Sequence, residues 1–224
     1  MASIQAQMNG VWSAVAAATG GGGAAVMFVG ARSDVGISEV ARAFAEVAAA
    51  RAARAAWLVD LDFFGPGQFA AYGGEQAAMK GPFDMTFATQ PFWRAQPKAA
   101  DGSQGEGALV SFRTPVPKLF VSRFNRAALQ AGQKMQVSPA PSYWQAVRKA
   151  IDMTVVDAPA LEYSRAGLAL VPDMDGVILV IDSQISDVRE SIDLRDEIIG
   201  RGGRCLGIVV TETASSGFKL RRQA

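Results

Sequence analysis

With 224 residues, half of them hydrophobic and 8% aromatic, the chain is long enough to bury one substantial core. Lysine and arginine total 22 against 21 acidic residues, so a net charge of +1 gives no global footprint for nucleic acid. The lack of histidine excludes triads with a histidine base and histidine-ligated metals, and the single cysteine excludes an intramolecular disulfide.

Any metal here is therefore expected to be oxygen-bound, with magnesium the obvious candidate. Cys205, set in Arg204-Cys205-Leu206-Gly207-Ile208-Val209-Val210, reads as a buried small hydrophobe in a reducing cytoplasm.

Residues 1–19 are alanine-rich but lack the basic start and long apolar run of a secretion signal. No segment reaches the ~20 apolar residues of a membrane span, so a role at a membrane implies recruitment. The stretch 3–18 reads as a leading helix, and the four glycines at 20–23 read as a hinge that leaves this helix free to pack away from the main body.

Six apolar runs then alternate with helical patterns, at 25–30, 55–60, 119–122, 153–157, 176–181 and 205–210. Continuous apolar runs such as Val177-Ile178-Leu179-Val180-Ile181 suit strands buried on both faces of a parallel sheet. Between them, 38–53 carries Val40, Phe44 and Val47 at helical spacing, with Arg51 and Arg54 at its end. Segments 142–151 and 186–199 read as further helices, the second stopped by the glycines of 200–203.

The stretch 65–107 is less regular, with isolated aromatics Phe83, Phe87, Phe92 and Trp93. They read as the core of a helix pair, with an exposed docking surface as the alternative, and 98–107 reads as a disordered loop. The alternation as a whole predicts a doubly wound, mostly parallel α/β sheet in a single domain. The organisation is a leader over 1–23, a main domain over 24–213 and a basic tail over 214–224.

Three motifs fall at the ends of predicted parallel strands, the edge at which open α/β sheets bind ligands. The first is the loop Gly30-Ala31-Arg32-Ser33-Asp34-Val35-Gly36-Ile37-Ser38, between an apolar strand and an amphipathic helix. A loop so placed holds phosphate with backbone N–H groups and the positive end of its helix, while a lysine grips the outer phosphates and Ser or Thr holds magnesium. Here Gly36 and Ser38 are present, but Ile37 stands at the lysine position. Losing one charge-assisted contact removes about 1.5–3 kcal/mol, and each ~1.4 kcal/mol of transition-state binding is about tenfold in rate. The second motif, Asp60-Leu61-Asp62, puts two carboxylates on one side of a strand end; a turn-capping pair ahead of Gly65-Pro66-Gly67 is the plainer reading. The third, Asp157-Ala158-Pro159, brings a carboxylate out of a buried run.

Together these residues resemble the MinD/ParA-like branch of phosphate-loop ATPases, and within it the bacterial tyrosine autokinases of capsule and exopolysaccharide chain-length control. The likeness runs from about Ala25 to Thr211, through segments 114–121, 139–157, 175–181, 190–203 and 206–210. It implies a P-loop NTPase-like fold with ATP and Mg2+ as cofactors. Nucleotide would be held by Arg32, Ser33, Asp34, Val35, Gly36, Ile37 and Ser38. Metal would be held by Ser38, Asp60 and Asp157, with Asp60 and Asp62 as vestigial catalytic carboxylates.

Departures from the family pattern are equally specific. Ile37 replaces the lysine, Asp34 brings negative charge into the loop, Phe64 replaces an arginine and Thr211 replaces an adenine-reading asparagine. The tail 213–224 has no tyrosine to autophosphorylate. The implied protein is a degenerate, kinase-like regulator with weak or absent ATP and Mg2+ binding. It is expected to be cytoplasmic, held at the inner membrane by a chain-length or export protein, with a homodimer allowed and no nucleic-acid partner. The alternatives are an active ATPase or kinase using Arg32 as its cation, and a MinD/ParA-like positioning or pilus-assembly protein.

Overall fold

The computed structural model describes residues 4–20, 22–63, 67–98, 105 and 107–212. Strand β1 (Ala24–Val29) is buried along its whole length. It lies in the middle of an eight-stranded sheet, between β8 (Met153–Asp157) and β9 (Gly176–Asp182). Outward from β9 comes β10 (Cys205–Thr211), and outward from β8 come β2 (Ala56–Asp60) and β6 (Leu119–Phe124). These six strands run parallel to one another.

Beyond β6 the sheet continues with β5 (Leu109–Arg113) and β3 (Lys80–Asp84), both antiparallel. A separate antiparallel ribbon joins β4 (Trp93–Gln96) to β7 (Lys134–Val137). The six apolar runs thus became the parallel strands. The four additional strands escape a search for continuous apolar runs because they are short and alternate in burial or are exposed.

Alternation along each strand sends side chains to two cores. Ala24, Val26 and Phe28 of β1 face helices α1 (Ile4–Thr19) and α2 (Ile37–Arg51), while Ala25, Met27 and Val29 face α4 (Pro141–Ala150), α5 (Ala166–Leu170) and α6 (Val188–Gly200). Helix α2 buries Val40, Phe44 and Val47. Each such side chain, fully buried, stabilises by about 1.5–3 kcal/mol over its exposed state.

The leading helix does not pack away from the body. Met8 and Val15 of α1 are buried in the same core as α2, and the Trp12 ring lies 6.0 Å from that of Phe44. The glycine run is also partly packed, because a Cβ on Gly23 would meet the Arg148 carbonyl oxygen at 1.9 Å.

The irregular stretch is corrected as well. Phe92 and Trp93 are buried, but on and beside strand β4 and against Tyr143 and Trp144 of α4, not within a helix pair. Phe83 on edge strand β3 is exposed. Cys205 is half-buried, since β10 is an edge strand, and burial raises its thiol pKa. Phe64, most of 98–107 and the tail 213–224 lie outside the described residues.

Candidate functional site

The site forms where β1, β8 and β2 end side by side. Strand β1 feeds through Gly30 into a 3-10 turn (Ser33–Val35), and Gly36 (φ 79°) turns the chain into α2. A left-handed φ of this kind favours glycine because a Cβ would clash with the following carbonyl. The loop therefore joins the central strand to an amphipathic helix.

Inside the loop lies hydrocarbon. A Cβ built on Gly30 would come within 3.0 Å of both the Ile37 Cδ1 and the Val35 Cγ2 atoms. Val35 is 1% exposed and Ile37 5%, and both belong to the α1/α2 core. The Val35 carbonyl accepts a 2.7 Å hydrogen bond from Thr211 Oγ1 at the end of β10. Thr211 is thus a strut under the loop.

Outside the loop lies charge from the protein itself. The Ser33 backbone N–H donates to Glu162 Oε1 at 2.6 Å, and hydrogen bonds from the Ser33 hydroxyl and backbone lower the Glu162 pKa. Two further bonds zip this segment to the loop, from Leu161 N to Gly30 O and from Glu162 N to Ala31 O. Arg32 Nε sits 3.5 Å from Asp34 Oδ1, and that pairing raises the arginine pKa. The charge of Arg32 is thus engaged with the neighbouring carboxylate.

Asp60 and Asp157 are register partners on β2 and β8, both buried. Burial is the largest cause of shift in each, raising Asp60 to about 6 and Asp157 to about 7; the Asp60 charge adds to the rise at Asp157. Two N–H donors, from Asp62 and Gln68, meet Asp60 Oδ1 and Oδ2 at 2.8 and 2.7 Å. The Ser38 hydroxyl bonds to Asp157. Asp62 is exposed at the mouth of a cleft of about 1150 Å³, lined also by Ser33, Ile37, Ser38, Arg126 and Tyr163.

The structure therefore brings Ser38, Asp60 and Asp157 together, with Asp62 at the rim. Val35 and Ile37 turn into the core, and Arg32 and Asp34 pair with each other. Neither Glu162 nor Gln68 is marked by sequence motif. Glu162 follows the Asp157-Ala158-Pro159 motif and Gln68 follows Gly65-Pro66-Gly67, so proximity to a motif was the only available signal. Two features of the loop oppose a phosphate group there: Val35 and Ile37 pack against Gly30, and a carboxylate takes the Ser33 donor. The donor types for magnesium are present in Ser38, Asp60 and Asp157, but Asp60 and Asp157 already accept protein hydrogen bonds and the Ser38 hydroxyl is turned onto Asp157. No cluster of three or more acidic or cysteine ligands is arranged for a metal among the described residues.

Fold and loop position define a P-loop NTPase-like α/β protein. No family model and no curated protein matches the chain. Within this fold class it is similar to the VpsO kinase domain, at 14% identity and a TM-score of 0.61 over 93% of this chain and 94% of that one. It is similar also to the BceF tyrosine kinase domain, at 16% identity and a TM-score of 0.60 over 94% and 76%. MinD, the cell division protein of Aquifex aeolicus, aligns at 15% identity and a TM-score of 0.52 over 84% and 68%. Identities this low establish a shared fold. Among the described residues no helix is long and apolar enough to cross a membrane.

Proposed function

We propose that this chain is a kinase-fold regulatory subunit that has given up nucleotide hydrolysis and acts by binding a partner. The observation that carries the reading is the filled loop, with Val35 and Ile37 against Gly30 and the Glu162 carboxylate on the Ser33 N–H. A loop that must cradle phosphate cannot keep apolar side chains on its floor and an anion at its donor. Resemblance to tyrosine autokinases, with kinase domains among the structures of like fold, supports a place in a bacterial exopolysaccharide system. The partner is then a membrane chain-length or export protein that holds the chain at the cytoplasmic face of the inner membrane.

Titration with ATP and Mg2+ by calorimetry, paired with a phosphate-release assay, tests the first part. The expected result is no saturable binding at micromolar nucleotide and no turnover. Robust Mg2+-dependent hydrolysis would overturn it. For the second part, loss of the gene should alter polymer chain length. The fold shared with MinD supports a rival reading as a positioning protein, for which a fluorescent fusion would mark a cell pole independently of the export genes.

A further inference from the structure

Gln68, at the start of helix α3 (Gly67–Ala71), is 1% exposed and touches every part of the carboxylate site. Its Nε2 donates to Asp157 Oδ2 at 2.6 Å and to the Ser38 carbonyl at 2.8 Å. Its Oε1 accepts from Arg42 Nη1 at 3.2 Å, and its backbone N–H donates to Asp60 Oδ2 at 2.7 Å. The amide orientation follows from the chemistry. The Ser38 carbonyl facing Nε2 is a pure acceptor and the Arg42 guanidinium facing Oε1 is a pure donor, so a flipped amide would set oxygen against a carbonyl and N–H2 against a cation.

The approach is tight by construction. Gly67 adopts φ +51°, and a Cβ there would fall 2.0 Å from Asp60 Oδ2. Only glycine lets the chain come this close, and the next residue then inserts its carboxamide between β2, β8 and the start of α2. Two buried carboxylates in register would otherwise confront each other with no cation between them. An amide N–H2 offers two donors in the place where a divalent cation would take lone pairs.

We propose that Gln68 is a built-in occupant of the cation position, so that its carboxamide, not a divalent metal, bridges Asp157 and the Ser38 turn while its backbone N–H holds Asp60. The inference rests on reading Ser38, Asp60 and Asp157 as the cation position of this fold; it does not depend on the state of the phosphate loop. Arg42 completes the substitution by supplying positive charge one hydrogen bond further back, on the amide oxygen. The site is therefore a closed polar network that couples α3 to both strands and to α2 without a metal.

Manganese binding, read by the loss of the free-ion EPR signal with no nucleotide added, tests this. The wild-type protein should leave the signal unchanged. Gln68→Ala should take up one equivalent with affinity raised by about tenfold or more. Should Gln68→Ala not fold, Gln68→Glu serves: it adds a third carboxylate to an all-oxygen donor set, and its melting temperature should rise on adding Mn2+ while that of the wild type stays fixed. The proposal is overturned if the wild type binds Mn2+ as tightly as the variants, or if neither variant gains binding. Because nucleotide is left out, that failure would leave the filled-loop reading intact. ATP binding by a wild type that ignores Mn2+ would do the reverse.

Discussion

Glu162 places a carboxylate oxygen 2.6 Å from the backbone nitrogen of Ser33, so the loop's exposed donor meets an anion from the same chain. A backbone N–H at the head of a strand–turn–helix unit is an anion site. Here the ligand is tethered by the Leu161 and Glu162 bonds to Gly30 and Ala31. An intramolecular carboxylate competes with free phosphate at high effective concentration.

Glu162→Ala should therefore free the Ser33 amide. Its hydrogen exchange should accelerate while exchange in β1 and β8 is unchanged. The sign of the pH effect follows from the lowered Glu162 pKa. This contact is present above the ordinary glutamate range and is lost as pH falls through the depressed folded value. Ser33 exchange measured at intermediate acidity should still be protected in the wild type.

Ile37→Lys should not restore nucleotide binding. The lysine would start from a side chain that is 5% exposed and packed in the α1/α2 core, and Val35, held by the Thr211 strut, would still lie against Gly30. Losing the buried hydrocarbon and burying an ammonium should cost about 2–5 kcal/mol. Urea denaturation checks the stability, and calorimetry with ATP checks the binding. A gain in ATP affinity would show that the backbone cradle had survived beneath the apolar filling.

The carboxylate pair sets a pH dependence opposite to that of a salt-bridged acid. Asp60 and Asp157 bind protons more tightly when folded, at about 6 and about 7, because burial penalises their charged forms. The folded state then holds more protons than the unfolded state above pH ~4, so stability falls as pH rises through this window. The effect should be on the order of a few kcal/mol between pH 5 and 8, at ~1.4 kcal/mol per pKa unit. Melting temperatures across that range should fall in the wild type, and Asp157→Asn should flatten the slope.

Met8→Ala should destabilise the protein by about 2–5 kcal/mol, the usual range for emptying a filled core site. Met8 is fully buried with α2. Chemical denaturation with a single cooperative transition would show that α1 unfolds with the sheet. An unchanged midpoint would instead return the leading helix to an independent appendage.

Much of the fold was legible because buried parallel strands carry a continuous apolar signature. The run from Val177 to Ile181 and the helical spacing of Val40, Phe44 and Val47 announce their elements directly. Strands β3, β4, β5 and β7 were not legible. They are short, and β3 holds residues such as Lys80 and Pro82 that resemble a loop; only pairing with β5 makes it a strand. The α1 packing was hidden by the glycines after it, which look like a hinge until Gly23 is seen against the Arg148 carbonyl.

Taken alone, the order of residues determined that a phosphate-type loop, an Asp-x-Asp pair and a third aspartate lie at strand ends, and that Ile37 stands where a cation belongs. These are local facts, set by strand and helix periodicity and by the identity of each residue. Tertiary structure decided what faces each group. Gln68 and Glu162 reach the carboxylates and the loop from segments 30 and 129 residues away from their partners Ser38 and Ser33. Hydrogen bonds over such separations depend on how strands stack side by side, and that arrangement is fixed by burying two sheet faces at once, not by any local pattern.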